Sequence, residues 1–118
     1  MNCALLANSL TPILALESDV IGIDDALAII ASAYEHGASK ILLLENRLPA
    51  SFFDLSSRFA GEFVQKLVNY RFTVAAVFGH PASYPQRFVE WIGEASRGRQ
   101  FRTFDTEQAA MTWLDSQQ

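Results

Sequence analysis

The chain has one cysteine, little charge and no long hydrophobic run. Cys3 stands alone among 118 residues, which excludes an internal disulfide and a cysteine-rich zinc site; it reads as a small apolar strand residue and not as a reactive thiol. Charged side chains make up 19% of the chain and hydrophobic ones 50%, a balance that argues against disorder. The formal net charge is −4, and without a basic stripe to displace counterions a general nucleic-acid binder is not expected. No apolar run approaches the ~20 residues of a membrane span. The amino-terminal segment has neither the basic region nor the small-residue cleavage pattern of a signal peptide. A soluble cytoplasmic protein is therefore expected, without membrane or nucleic-acid partners. Also missing are a Gly-x-Gly-x-x-Gly fingerprint after a strand, a metal-ligand constellation and a nucleophile–base pair, so no cofactor, metal or catalytic residue is assigned. No repeat, linker or low-complexity segment divides the chain, and its length suits one domain over 1–118.

What is present is organised around Glu45 to Arg71, ENRLPASFFDLSSRFAGEFVQKLVNYR. Phe59, Ala60, Phe63, Val64, Leu67 and Val68 fall at the spacing of a helix that buries one face. Arg58, Glu62, Gln65, Lys66 and Asn69 fall on the other. Glu62 and Lys66 stand four apart in the favourable order, worth roughly 0.2–0.5 kcal/mol as an exposed pair. Ser57 or Asp54 is the expected cap, each offering a side-chain oxygen to free backbone N–H groups. Gly61 lies inside the helix at a cost of up to about 1 kcal/mol relative to alanine, which suggests the close approach of another backbone or a ligand.

Around this stretch the chain alternates strands and helices. Cys3–Ala7 and Ile13–Leu16 are short apolar runs that suggest a hairpin. Asp19 in the polar link that follows reads as a cap more readily than as a site acid. A helix is expected from about Asp24 to His36, with Ile23, Ala26, Leu27, Ile30, Ala33 and Tyr34 on one face and Gly37 closing it. Ser39–Leu44 is a continuous apolar strand, as a strand covered on both faces would be. Phe72–Phe78 is another, broken by Gly79, His80 and Pro81. Ser83 and Gln86 form a capping box with Pro85 in the first turn, ahead of a helix burying Phe88, Trp91, Ile92 and Ala95 and closed by Gly98. Arg97, Arg99 and Arg102 then form a small basic cluster, read as solvated helix-end charge or as an anion or acidic-partner contact. Gln100–Phe104 is the last strand, and Asp105 caps a final helix with Ala109, Ala110, Trp113 and Leu114 inward.

The order β-β-α-β-α-β-α-β-α implies an α/β domain with a mixed, mostly parallel sheet of about five strands and about four helices. In such sheets ligands gather beyond the carboxyl ends of the strands, where Glu45 and Asn46 follow the Ser39–Leu44 run.

FFDL at 52–55, AGE at 60–62, QK at 65–66, NYR at 69–71 and EASRGRQ at 94–100 resemble a bacterial family of uncharacterised function, domain of unknown function 4180, over Glu17 to Leu114. The resemblance implies a STAS-like fold, that of the anti-sigma-factor antagonists. STAS proteins carry a phosphorylatable serine at a loop–helix corner, and Ser56 or Ser57 occupies a comparable place. Arg58 stands where both patterns prefer glycine, Ser96 where the family tends to have asparagine, and GHPAS follows the 72–78 strand in place of the family's Gly-Asp.

Three readings of function follow. The first is a regulatory, protein-binding module working through Glu45, Asn46, Asp54, Ser56 and Ser57 and the helix that carries Glu62, Asn69 and Arg71, switched by phosphate at the corner. The second is a small-molecule-binding protein or enzyme using Glu45, Asp54, His80 or Glu94 as acid–base groups. The third is a homodimer joined through exposed aromatics, Phe52, Tyr70 or Tyr84.

Overall fold

The computed structural model describes residues 1–80 and 83–117; Pro81, expected as a strand breaker, lies outside them. Short apolar runs become strands β1 (Cys3–Leu5), β2 (Ile13–Leu16), β3 (Lys40–Leu44), β4 (Thr73–Val77) and β5 (Phe101–Phe104). The amphipathic segments become helices α1 (Asp25–His36), α2 (Phe59–Asn69), α3 (Gln86–Ala95) and α4 (Glu107–Ser116). One five-stranded sheet runs in the order β1-β2-β3-β4-β5. β1 is antiparallel to β2, with Ala4 opposite Ala15, and the remaining pairs are parallel.

Successive parallel strands step the same way across the sheet, so crossovers of one hand place their helices on one face. α1, α2 and α3 accordingly share a core with Leu14, Leu16, Ile41, Leu43, Val74, Ala76 and Phe101. Beyond β5, α4 folds over the opposite face, where Ala110 and Leu114 meet Ile13, Ala15, Leu42 and Ala75. β3 is thus covered on both sides, which is why its sequence shows no polar alternation.

Several local expectations are corrected. On α1 the buried stripe is Ala26, Ile29, Ile30 and Ala33, while Ile23, Leu27 and Tyr34 are exposed; the helix turns toward Ile29 because the sheet lies on that side. The Ser83–Gln86 box does not form: Pro85 occupies the N-cap of α3, and the Ser83 hydroxyl donates instead to the His80 carbonyl at 2.7 Å. The cap of α4 is Thr106, one residue after Asp105, with its Oγ1 accepting from the Ala109 amide at 3.1 Å. Glu62 and Lys66 do not pair; among the described residues the ion pair within 4 Å is Asp19–Arg47, at 3.3 Å. Gly37 closes α1 with φ +67°, as expected, and the Ala38 amide reaches the Ala33 carbonyl at 2.9 Å.

Candidate functional site

Between β3 and α2 the chain makes three short 3₁₀ turns, Glu45–Arg47, Ala50–Phe53 and Leu55–Ser57. This segment is held from below by aromatic packing. Phe52 is fully buried, with its ring 5.4–6.4 Å from those of Phe53, Phe59, Phe63, Phe78, Phe88 and Trp91. Phe53 stacks on Tyr84 at 4.9 Å. The pair Phe52–Phe53 therefore turns inward, and Phe52 offers no dimer contact. Tyr84 is half-buried in the same cluster, while Tyr70 is exposed.

On this bed the polar side chains of FFDLSS face outward. Asp54 caps the third turn: its Oδ1 accepts from the Ser56 amide at 3.1 Å and from the Ser56 hydroxyl at 2.6 Å. The Ser57 hydroxyl lies within donating distance of the Ser51 and Asp54 carbonyls and accepts from the Phe59 amide at 3.2 Å. Neither residue is the N-cap of α2. Arg58 holds that position in the left-handed region, φ +63°, a conformation that explains the preference for glycine there. All of Asp54, Ser56, Ser57 and Arg58 are exposed.

The residues singled out by sequence do not form one pocket. Asp54 and Ser56 line an open cleft of about 540 Å³ whose other wall is Pro85, Gln86 and Arg87 at the start of α3. Glu45 and Asn46 line a separate one of about 300 Å³ with Leu44, Val77, Gly79 and Glu107. The second cleft lies where β4 sends α3 to one face and the chain after β5 sends α4 to the other, the kind of divergence at which open α/β sheets bind ligands. Gln86, Arg87 and Glu107 were not among the site residues expected from the sequence; each is brought to its cleft by how its helix sits on the sheet. Glu62 is exposed in the first turn of α2. Asn69 accepts from Gln65 at 2.7 Å. Arg71, at φ +69°, follows the far end of the helix, about 15 Å from the corner at 1.5 Å per residue. Its amide bonds the Val68 carbonyl and that of Phe72 bonds Leu67, the Schellman ending of a helix. Asn69 and Arg71 thus terminate α2 and do not join the corner. The candidate acids are also dispersed: Glu94 lies in a groove between α2 and α3, and His80 is exposed beyond β4.

Among the described residues no group of His, Cys, Asp or Glu is gathered closely enough to hold a metal ion. None of the helices there is long and apolar enough to cross a membrane. Burial raises the Cys3 thiol above its ordinary pKa despite a hydrogen bond with Ser32 that opposes the rise, which suppresses the thiolate and its chemistry. Arg102 lies over the Trp113 ring at 5.7 Å, so the basic cluster is divided between that contact and a cleft where Arg99 meets Thr73, Gln100, Ser116 and Gln117.

With this geometry in view, comparison with known proteins places the chain in a family. The model of Domain of unknown function (DUF4180) matches residues 9–114, and the chain belongs to that family. No curated protein and no solved structure matches it.

Proposed function

We propose that this chain is a cytoplasmic, non-catalytic regulatory module, a single STAS-like domain that docks a protein partner through the Asp54–Ser57 corner and is switched by phosphate at Ser57. The observation that carries the reading is the corner itself: exposed polar side chains seated on a fixed aromatic bed at the carboxyl edge of the sheet. A rigid scaffold presenting an exposed polar loop suits recognition.

The hydrogen bonds distinguish the two serines. A phosphate on Ser56 would stand beside the Asp54 carboxylate, now 2.6 Å from the hydroxyl, and like charges would repel. A phosphate on Ser57 would face the first amide of α2, already 3.2 Å from Oγ, where negative charge is favoured. It would also remove the O–H that donates to the Ser51 and Asp54 carbonyls, loosening the third turn while adding roughly −1.5 to −2 charge. The switch is thus an exchange of a turn-closing donor for a helix-facing anion. Quantitative affinity capture with parent, Ser57→Ala and Ser57→Asp baits tests it. Partners whose recovery changes with Ser57→Asp are expected; equal recovery of every protein on all three baits refutes the reading.

A second reading has one observation in its favour. The cleft holding Glu45, Asn46 and Glu107 occupies the ligand-binding position of open α/β sheets, and two carboxylates there favour a small cationic ligand. Loss of binding on Glu45→Gln, with Ser57 variants unaffected, would select this reading over the first.

A further inference from the structure

The two edges of the sheet differ in kind. β5 closes one edge with Arg102 inside the strand and Arg99 and Asp105 beside it, and charge on an edge strand discourages a further strand from pairing there. β1 forms the other edge, and no charged side chain stands before Glu17. The Leu6 amide bonds the Ile13 carbonyl at 2.9 Å, and the Glu17 amide bonds the Asn2 carbonyl at 2.8 Å. Because antiparallel pairs alternate, Ala4, opposite Ala15, is hydrogen-bonded to β2, and Cys3 and Leu5, opposite Leu16 and Leu14, are not. The amides and carbonyls of Cys3 and Leu5 therefore point off the sheet, and among the described residues no loop or helix backbone bonds them. Leu5 lies on the same face as buried Leu14, yet it is 41% exposed, so α1 leaves the edge open. Ser32, which bonds Cys3, marks the flank of α1 nearest β1, and from Ala26 to Tyr34 this helix has no charged side chain. The uncharged surface thus continues from the strand onto the helix.

We propose that β1 pairs antiparallel with β1 of a second copy of this chain about a two-fold axis at Ala4, joining the two five-stranded sheets into one. Cys3 of each copy exchanges amide and carbonyl bonds with Leu5 of the other, so the outward groups of both residues are satisfied. Ala4 meets the partner's Ala4 in the intervening non-hydrogen-bonded pair, where Cα atoms come to about 4.5 Å and small side chains fit. Each exposed Leu5 covers the partner's Cys3. The occupant is a second copy because outward groups evenly spaced about one small residue make an edge complementary to itself, as an isologous contact requires. Charge agrees: each copy carries −4, and across these strands no like charges are brought together. An interface of this extent stands at the low end of specific ones, which sets the dimer in the micromolar range.

Sedimentation of the full chain across micromolar concentrations provides the test, and the parent is expected to be a reversible dimer. Leu5→Lys, which puts charge on an exposed position of the edge, is expected to weaken it by at least about tenfold with the circular dichroism spectrum unchanged. Tyr70→Lys, at an exposed aromatic just past α2, is expected to leave the dimer in place. Oxidative cross-linking reads the register. In a Cys3→Ser background, Ala4→Cys is expected to give a disulfide-linked dimer, since the Cα separation across the axis lies within disulfide reach. Leu6→Cys, set opposite the partner's Asn2, is expected not to. A parent that stays monomeric throughout the range overturns the proposal. So does a dimer that Leu5→Lys leaves unchanged or Tyr70→Lys abolishes, or cross-linking as ready through Leu6→Cys as through Ala4→Cys.

Discussion

Arg58 and Arg71 are the two non-glycine residues with positive φ among the described residues, at +63° and +69°. They bracket α2, one at its N-cap and one just past its end. An L-residue in this conformation costs roughly 1–2 kcal/mol, and glycine adopts it freely but loses more entropy on folding. Arg58→Gly and Arg71→Gly are each expected to raise stability by about 0.5–1 kcal/mol, read as a shift of the denaturant midpoint at constant slope. A drop in stability would show that the arginine side chains make contacts that outweigh the strain. The sequence marked Arg58 as a departure from a glycine pattern, and the backbone gives the reason. It could not mark Arg71, since NYR reads as an ordinary helix end until the left-handed turn is seen.

At the scale of the element, periodicity was a sound guide to what regular structure consists of. Ile13–Leu16 is the strand expected, and the buried face of α2, with Ala60, Phe63, Val64 and Leu67, follows from spacing alone. Capping was legible to within a residue at α4, where Asp105 and Thr106 both offer an acceptor and backbone geometry chooses between them, but not at α3, where Pro85 takes the place expected of Ser83. The three 3₁₀ turns were not legible. They exist because Phe52 and Phe53 reach rings contributed by β4, α2, α3 and the segments beside them, contacts distant in sequence that no local pattern records. The candidate site was legible in the same measure: Asp54, Ser56 and Ser57 do share the corner, but Glu45 lies in another cleft and the opposing wall at Gln86–Arg87 comes from a distant helix. Phe52→Ala tests the dependence of the corner on its bed. A loss of about 3–5 kcal/mol is expected for a fully buried phenylalanine, a large share of the ~5–15 kcal/mol that holds a domain together. A loss below about 1 kcal/mol would mean that the aromatic cluster does not support these turns.

Across the whole molecule, one polar knot ties the end of the chain to its beginning. The Asp115 carboxylate accepts from the Leu10 amide at 2.9 Å and from the Thr11 amide and hydroxyl at 3.0 and 2.7 Å. Buried Lys40 donates to the Thr11 hydroxyl at 3.0 Å and to the Gln117 carbonyl at 2.9 Å. Partial burial alone would push the Asp115 carboxyl up; the hydrogen bonds from Leu10 and Thr11, with the Lys40 charge nearby, outweigh it and hold the pKa below the ordinary carboxylate value. A lowered folded pKa stabilises the fold above the unfolded value of about 3.9 and ceases to do so as pH falls through the folded value. Asp115→Asn is therefore expected to be less stable than the parent at pH 7, with the gap closing below about pH 4. A gap of constant size from neutral to acid pH would contradict this role.

The docking reading places its switch at one hydroxyl, and one measurement reaches it directly. Trypsin releases Leu48–Arg58 as a single peptide carrying Ser51, Ser56 and Ser57, so mass spectrometry of the protein isolated from its own cells can locate a phosphate residue by residue. The account predicts phosphate on Ser57. A peptide that is always unmodified, or one phosphorylated only at Ser56 beside the Asp54 carboxylate, would contradict it.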